Sequence, residues 1–188
     1  EPVTTGRTSS VRAGMITDAG VVLVTVDGVV VTMSTSSGDT SDGARLEIGT
    51  IESGSVTPAG DRLVVTGATG TALVGAGGDV IASYVAQRPP GSLPLIGAIC
   101  FTTVTADDAD PQVAVVDTTD GTVLVEANGS EPLLSDASGC TIATTTPSGY
   151  DLVSAQGVRQ FETDDTALSL SLDGTALAVE RDGRIALV

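Results

Sequence analysis

The sequence contains no histidine, no tryptophan and no lysine, and its eight basic side chains are all arginine. Each absence removes a chemistry. Without histidine there is no Ser-His-Asp or Cys-His relay and no imidazole-ligated metal. Without lysine there is no Schiff base and no P-loop ammonium to hold a phosphate. Rings are almost as scarce: Phe101, Phe161, Tyr84 and Tyr150 are the only aromatic residues. A sugar-stacking cleft or a base-stacking platform needs more than that. Long apolar runs are also missing. A stretch such as Leu95 to Phe101 falls far short of the ~20 residues of a spanning helix, so no direct membrane insertion is expected. No cofactor and no metal site is expected from this composition.

What is present is acidic and β-rich. The 188 residues carry a net charge of −16, with 41% hydrophobic residues drawn from Val, Ala, Leu and Ile. The hydrophobic content excludes a disordered chain, and the length fits a single domain over residues 1–188. The charge excludes nucleic acid and anionic lipid as partners, and it keeps a Val- and Thr-rich protein dispersed. Glu1 is not an initiator methionine, so the expectation is a processed chain whose export signal has been removed. Abundant Ala, Gly, Val, Thr and Asp without lysine suggest a high-GC genome, as for an actinobacterial envelope or secreted protein.

Strand signals run from end to end. Val21 to Val26, Asp27-Gly28 and Val29 to Met33 read as a hairpin with a two-residue type I′ turn. Arg62 to Thr66 with Thr71 to Val74, and Gln112 to Asp117 with Thr122 to Glu126, read as further hairpins. Ala167 to Leu172, Thr175 to Glu180 and Arg184 to Val188 form a predicted three-stranded meander. Four segments share a Thr/Ser strand, a small turn ending in Gly and an apolar strand: Thr17 to Val24, Thr57 to Val64, Thr146 to Val153 and Ser171 to Ala178. A degenerate copy without the glycine spans Ala109 to Val115. The anchors fall near 20, 60, 110, 149 and 174, in steps of about 40, 50, 39 and 25, and a step near 40 is close to the ~40–45 of a four-stranded blade.

On these phrases, "TPAGDRLVVTGATGTALV" (57–74), "TPSGYDLV" (146–153) and "SLDGTALAVERDGRIALV" (171–188), the chain resembles β-propeller repeat proteins of the YVTN and WD40-like kind. It departs from them in lacking the Trp-Asp dipeptide and in a short last step. The resemblance implies a β-propeller-like fold of about five blades, with a β-sandwich as the alternative. It also implies a terminal blade shared by both ends of the chain. Within the N-terminal segment 1–13, Val3 to Val11 would then pair beside Arg184 to Val188, with an unstructured tail as the competing expectation. The Pro-rich stretch at 88–94 reads as a linker between blades.

Cys100 and Cys140 are 40 apart, about one repeat. Under the propeller resemblance they fall at equivalent places on adjacent inner strands, where a structural disulfide can form. A redox-active pair and two buried thiols are the other readings. An even count favours the bridge and an oxidising, extracytoplasmic compartment. Asp107, Asp108 and Asp110 form the densest carboxylate cluster, a solvated loop or a cation site. Asp164-Asp165 is weaker, and Ser34 to Gly43 reads as a mobile loop. Asn128-Gly129-Ser130 is both a glycosylation pattern and a turn. Gly75 to Gly78 has no following helix to offer a phosphate.

The functional expectation is a non-catalytic, exported accessory subunit or binding module. Its partner is a protein of unknown identity, and a membrane-bound assembly is one setting for it. The alternative is a hydrolase or lyase that uses converging carboxylates at a central channel.

Overall fold

Valine, threonine and isoleucine fill the segments between glycine-bearing turns, and their branched Cβ atoms favour extended backbone. A computed structural model describes residues 10–86, 93–104, 112–128 and 132–188. Among them it is all-β, with eighteen strands in five small antiparallel sheets and no helix. The chain divides into two compact units, residues 1–88 and 89–188. Their border falls in the Pro-rich stretch, of which residues 87–92 lie outside the described part.

The first unit holds two four-stranded meanders. One is β1 (Val11–Thr17), β2 (Gly20–Thr25), β3 (Val29–Met33) and β4 (Thr40–Arg45); the other is β5 (Ile51–Val56), β6 (Arg62–Gly67), β7 (Gly70–Gly75) and β8 (Val80–Val85). Alternation sends Ala13, Met15, Val22, Val24 and Val30 from the first sheet into one core with Ile51, Leu63, Val65 and Val74 from the second. Leu46 and Ile48, on the connection between sheets, close that core. Each fully buried Val, Leu or Ile stabilises the unit by roughly 1.5–3 kcal/mol before its entropy cost.

The β2–β3 hairpin forms where the sequence places it, but its turn differs. The loop has three residues, Val26, Asp27 and Gly28, rather than two: Gly28 N donates to Thr25 O at 2.9 Å, and of the three only Gly28 has positive φ, at 83°. A type I′ turn needs positive φ at both of its central residues. Thr25 explains the change: its hydroxyl donates to Asp27 Oδ1 (2.6 Å) and accepts Val29 N (3.0 Å). These bonds hold Asp27 in the ordinary region and leave the reversal to the glycine. Among the described residues, Asp182 (51°) and Gly183 (70°) have positive φ at both positions of their turn.

The second unit holds three sheets. The third sheet is β9 (Cys100–Val104), β10 (Gln112–Asp117) and β11 (Val123–Asn128), with Ile96 bridged to Phe101 on the free side of β9. The fourth is β12 (Pro132–Ser135), β13 (Thr141–Thr146), β14 (Gly149–Ser154) and β15 (Gly157–Glu162). The fifth is β16 (Thr166–Leu170), β17 (Leu177–Arg181) and β18 (Arg184–Leu187). The fourth sheet buries both faces. Ile142 and Val153 pack with Cys100, Val113 and Val115, while Ala143 and Leu152 pack with Leu177 and Val179. The Tyr150 hydroxyl ties this sheet to the fifth, donating to Asp165 O and accepting Ala167 N, both at 2.9 Å.

The glycine turns do not all fall where the sequence aligns them. Gly60 and Gly174 lie between the first and second strands of their sheets, whereas Gly149 opens the third strand of its own. The counterpart of Gly60 is Gly139. Gly60, Gly139 and Gly174 have φ of 79°, 77° and 67°, and each donates to a residue three back: Thr57 O, Asp136 O and Ser171 O. The Ser34 to Gly43 stretch also differs from a mobile loop. Its first half is a turn closed by Ser34 N to Asp39 O (2.9 Å), and from Thr40 onward it is β4. Every residue of β4 is exposed, so no apolar alternation marks the strand in the sequence. Residues 1–9 lie outside the described part, and with them the predicted pairing of Val3 to Ser9; Val11 opens β1 and registers opposite Thr25 of β2 instead of pairing beside β18. Among the described residues β18 pairs with β17 alone.

Candidate functional site

In a meander the first and third turns share one end, and in both units those turns meet. In the first unit the β1–β2, β3–β4 and β7–β8 turns enclose a cleft of about 410 Å³ that includes Gly20, Ser34, Ser37, Asp39 and Ala76. In the second unit the 97–100 turn lies on the β12–β13 turn. Ala98 N donates to Ala137 O (3.2 Å), and Ile99 N and Cys100 N both donate to Ser138 O (2.9 Å). The backbones approach so closely at Gly97 and Gly139 that a Cβ on either would overlap the other. Thr118 reaches back to the same place, its hydroxyl donating to Ile99 O at 2.7 Å.

Cys100 and Cys140 are joined there by a disulfide with Cα atoms 5.0 Å apart. Cys100 opens β9 and Cys140 directly precedes β13, so each stands at the start of the second strand of its chain segment, counting the Ile96 bridge as the first. Cys100 is fully buried and Cys140 packs on the same cluster. The bond therefore staples the third sheet to the fourth at their turn-bearing end.

Carboxylates decorate this end, and short bonds hold Asp173 and Asp120 ionised. Asp173 is pushed down to about 2, first by the Ser171 hydroxyl (2.6 Å) and then by Thr175, whose hydroxyl and N–H both donate to it. Asp120 is lowered chiefly by Thr122 N at 2.8 Å. Asp136 takes Ser138 Oγ on one oxygen and Thr141 N on the other. At the opposite end Asp165 is also lowered, first by its bond to Arg181 and then by the Thr163 hydroxyl. A general acid at neutral pH needs the reverse shift.

Other sequence candidates fall as follows. Asp107, Asp108 and Asp110, and Gly129-Ser130 after Asn128, lie outside the described residues; Asn128 itself ends β11. Asp164 precedes β16 and its neighbour Asp165 is the ion-pair partner of Arg181 at 2.7 Å. Gly75 to Gly78 forms the β7–β8 turn, closed by Gly78 N to Gly75 O. Among the described residues no three His, Cys, Asp or Glu side chains gather as metal ligands. A cavity of about 310 Å³ brings Asp27 and Glu47 together beside Arg45, and Asp27 accepts the Thr25 hydroxyl. No helix among the described residues is long and apolar enough to cross a membrane.

Three features escape the sequence. A groove of about 660 Å³ on β1 is lined by Val11, Ile16, Val21, Leu23 and Val56. The available signal is that Val11, Ala13, Met15 and Ile16 are apolar in both parities of one strand. A second cleft, of about 430 Å³, sets Arg159 against Asp173 and Thr175 between the fourth and fifth sheets. The Arg159 guanidinium donates to Thr175 O and lies 4.8 Å from the Phe161 ring centre. Thirdly, Thr144 and Asp151 face each other across β13 and β14, buried, with Thr144 Oγ1 and Asp151 Oδ1 lacking partners. No protein-family model matches the chain, and no curated protein matches it significantly.

Proposed function

We propose that the five sheets are blades of a propeller-like array and that the chain is an extracytoplasmic, non-catalytic module binding a protein partner through the acidic turns of its units. One observation carries this reading. The turns there are ordered by side chains that accept or donate within the turn, and they present carboxylates such as Asp173 and Asp120 that stay ionised through the physiological range. Asp18, Asp39, Asp61 and Asp79 occupy the corresponding turns of the first unit. A rigid acidic surface favours a basic protein face, speeds encounter and repels phosphate backbones. The disulfide supports an oxidising compartment.

An accessory subunit of a membrane-bound assembly fits this chemistry, since acidic turns would hold it to a basic face of an anchored partner. Capture from gently solubilised membranes should recover one stoichiometric partner that elutes as salt rises. A variant with Asp18, Asp39, Asp120 and Asp173 changed to Asn should lose it. Recovery of no partner at any salt, or equal recovery by the variant, would refute the reading.

A further inference from the structure

Arg159 of β15 is held in place without an acidic partner, in a chain of 24 acidic and 8 basic side chains. It stands opposite Leu152, on the face of the fourth sheet that packs on the fifth. Two contacts fix it: the guanidinium donates to Thr175 O at 3.2 Å and lies 4.8 Å from the Phe161 ring centre. The rest of its planar fork of donors takes no protein acceptor. Asp173 lines the same cleft of about 430 Å³. The Ser171 hydroxyl, the Thr175 hydroxyl and the Thr175 N–H all donate to its Oδ1, which leaves Oδ2 without a partner. Thr175 therefore acts as a spacer. It takes Arg159 on its carbonyl and Asp173 on its N–H and hydroxyl, and no ion pair joins the two charges directly. Leu152 and Val158 add apolar wall beside them.

Two opposite charges that share a small cleft and are kept from each other match a molecule that carries both charges on one carbon. We propose that this cleft binds a free α-amino acid, its carboxylate on the Arg159 fork, its ammonium on Asp173 Oδ2 and an aliphatic side chain against Leu152 and Val158. A guanidinium and a carboxylate are both planar and can pair through two parallel bonds. A simple anion would sit beside the ionised Asp173 and a simple cation beside Arg159, so each would meet repulsion as well as attraction. A zwitterion meets neither, and it adds no net charge to a chain at −16. The volume lies at the lower end of the ~300–1,000 Å³ of small-molecule sites. Ring, carbonyl and hydroxyl hold both charged groups in place before a ligand arrives, which lowers the ordering cost of binding. The site goes beyond the acidic-turn reading, in which Arg159 takes no part.

Amide NMR titration of the whole chain tests this with three probes: L-leucine, 4-methylpentanoate, which lacks the ammonium, and isoamylamine, which lacks the carboxylate. Leucine should give saturable shifts centred on Gln156, Gly157, Gly174 and Thr175, with a dissociation constant on the order of 1 mM because both charges face water. Each one-charge probe should bind about tenfold more weakly or not at all. Arg159→Gln should weaken leucine about tenfold while isoamylamine binds as well as before or better, since the neighbouring cation is gone. A merely structural loss would weaken both. Arg159 is exposed, so this variant keeps the fold, which its unshifted amides elsewhere will show. Asp173→Asn, which also loosens its own turn, should weaken leucine and spare 4-methylpentanoate. No saturable shift with leucine, a one-charge probe that binds as tightly as leucine, or undiminished leucine binding by Arg159→Gln would each overturn the proposal.

Discussion

Consider removal of the Cys100–Cys140 bond, by reduction or by the double change Cys100→Ala with Cys140→Ser. The bond closes a loop of 40 residues. In the chain-entropy account, opening such a loop gives the unfolded state about 4 kcal/mol of additional freedom. No hydrogen bond needs to break at first, because Cys100 N and Ile99 N still donate to Ser138 O. The folded structure should persist while its stability falls. For a chain of this length ~1 kcal/mol shifts Tm by roughly 2–4 °C, so the expected fall is roughly 8–16 °C. Circular dichroism melts of the oxidised protein, the reduced protein and the double variant are the assay. Reduced and variant proteins should melt together, apart from a small extra loss where Ala leaves space in the buried cluster of Val113, Val115 and Ile142. Alkylation in denaturant without reductant should label neither cysteine. A change in Tm below about 2 °C on reduction would show that the two turns are held by backbone contacts alone and would refute the entropic argument.

Further outcomes follow from single residues. Changing Thr144→Val with Asp151→Ala copies the Val65–Ala72 pair at the same register of the second sheet and removes two unpartnered buried atoms. It should raise stability by about 1–3 kcal/mol in urea titration, and a loss would mean that the pair has a partner. Gly149→Ala forces a Cβ into the Phe161 carbonyl at a φ of 150°, whereas at Gly60 nothing lies within 4 Å. Gly60→Ala should cost about 1–2 kcal/mol of left-handed strain and Gly149→Ala clearly more; equal costs would contradict the close approach. Asp173 should titrate near pH 2 by carbon NMR. Its folded pKa is depressed, so its contribution is present above the ordinary carboxylate value of 3.8 and is lost as pH falls toward 2. Asp173→Asn should therefore destabilise at neutral pH, with the difference from wild type vanishing near pH 2, and a difference that persists there would count against the turn bonds.

Strands were legible where one face is apolar and the turn carries glycine, as in Val21 to Met33 and in the final meander. β4 was not, because all its residues face solvent and pairing with β3 alone makes it a strand. The disulfide was legible from spacing, since one repeat length separates equivalent positions. The alignment through Gly149 misled because Thr146-Pro147-Ser148-Gly149 resembles Thr57-Pro58-Ala59-Gly60 in letters, while the hydrogen bonds of the latter recur at Asp136 to Gly139. Two-residue and four-residue turns use similar amino acids, and only the pairing partner distinguishes them. The exposure of an apolar side chain such as Ile16 is invisible to local pattern, because an apolar residue looks the same whether a neighbouring sheet covers it or not.

Each sheet is built from consecutive strands, and none lends a strand to another among the described residues. Hairpins of neighbouring segments close faster than pairings across a long chain, so a chain of this design can acquire structure in the order in which it emerges. A sheet that has closed hides its central strands while the next is still being made, which shortens the time that Val-rich segments are exposed to one another. The disulfide sets a checkpoint in that sequence. Cys100 must wait as a free thiol through the whole third sheet until Cys140 arrives. Premature capture by another thiol is then the characteristic hazard of its biogenesis, and an oxidant that acts late serves this chain better than one that acts early.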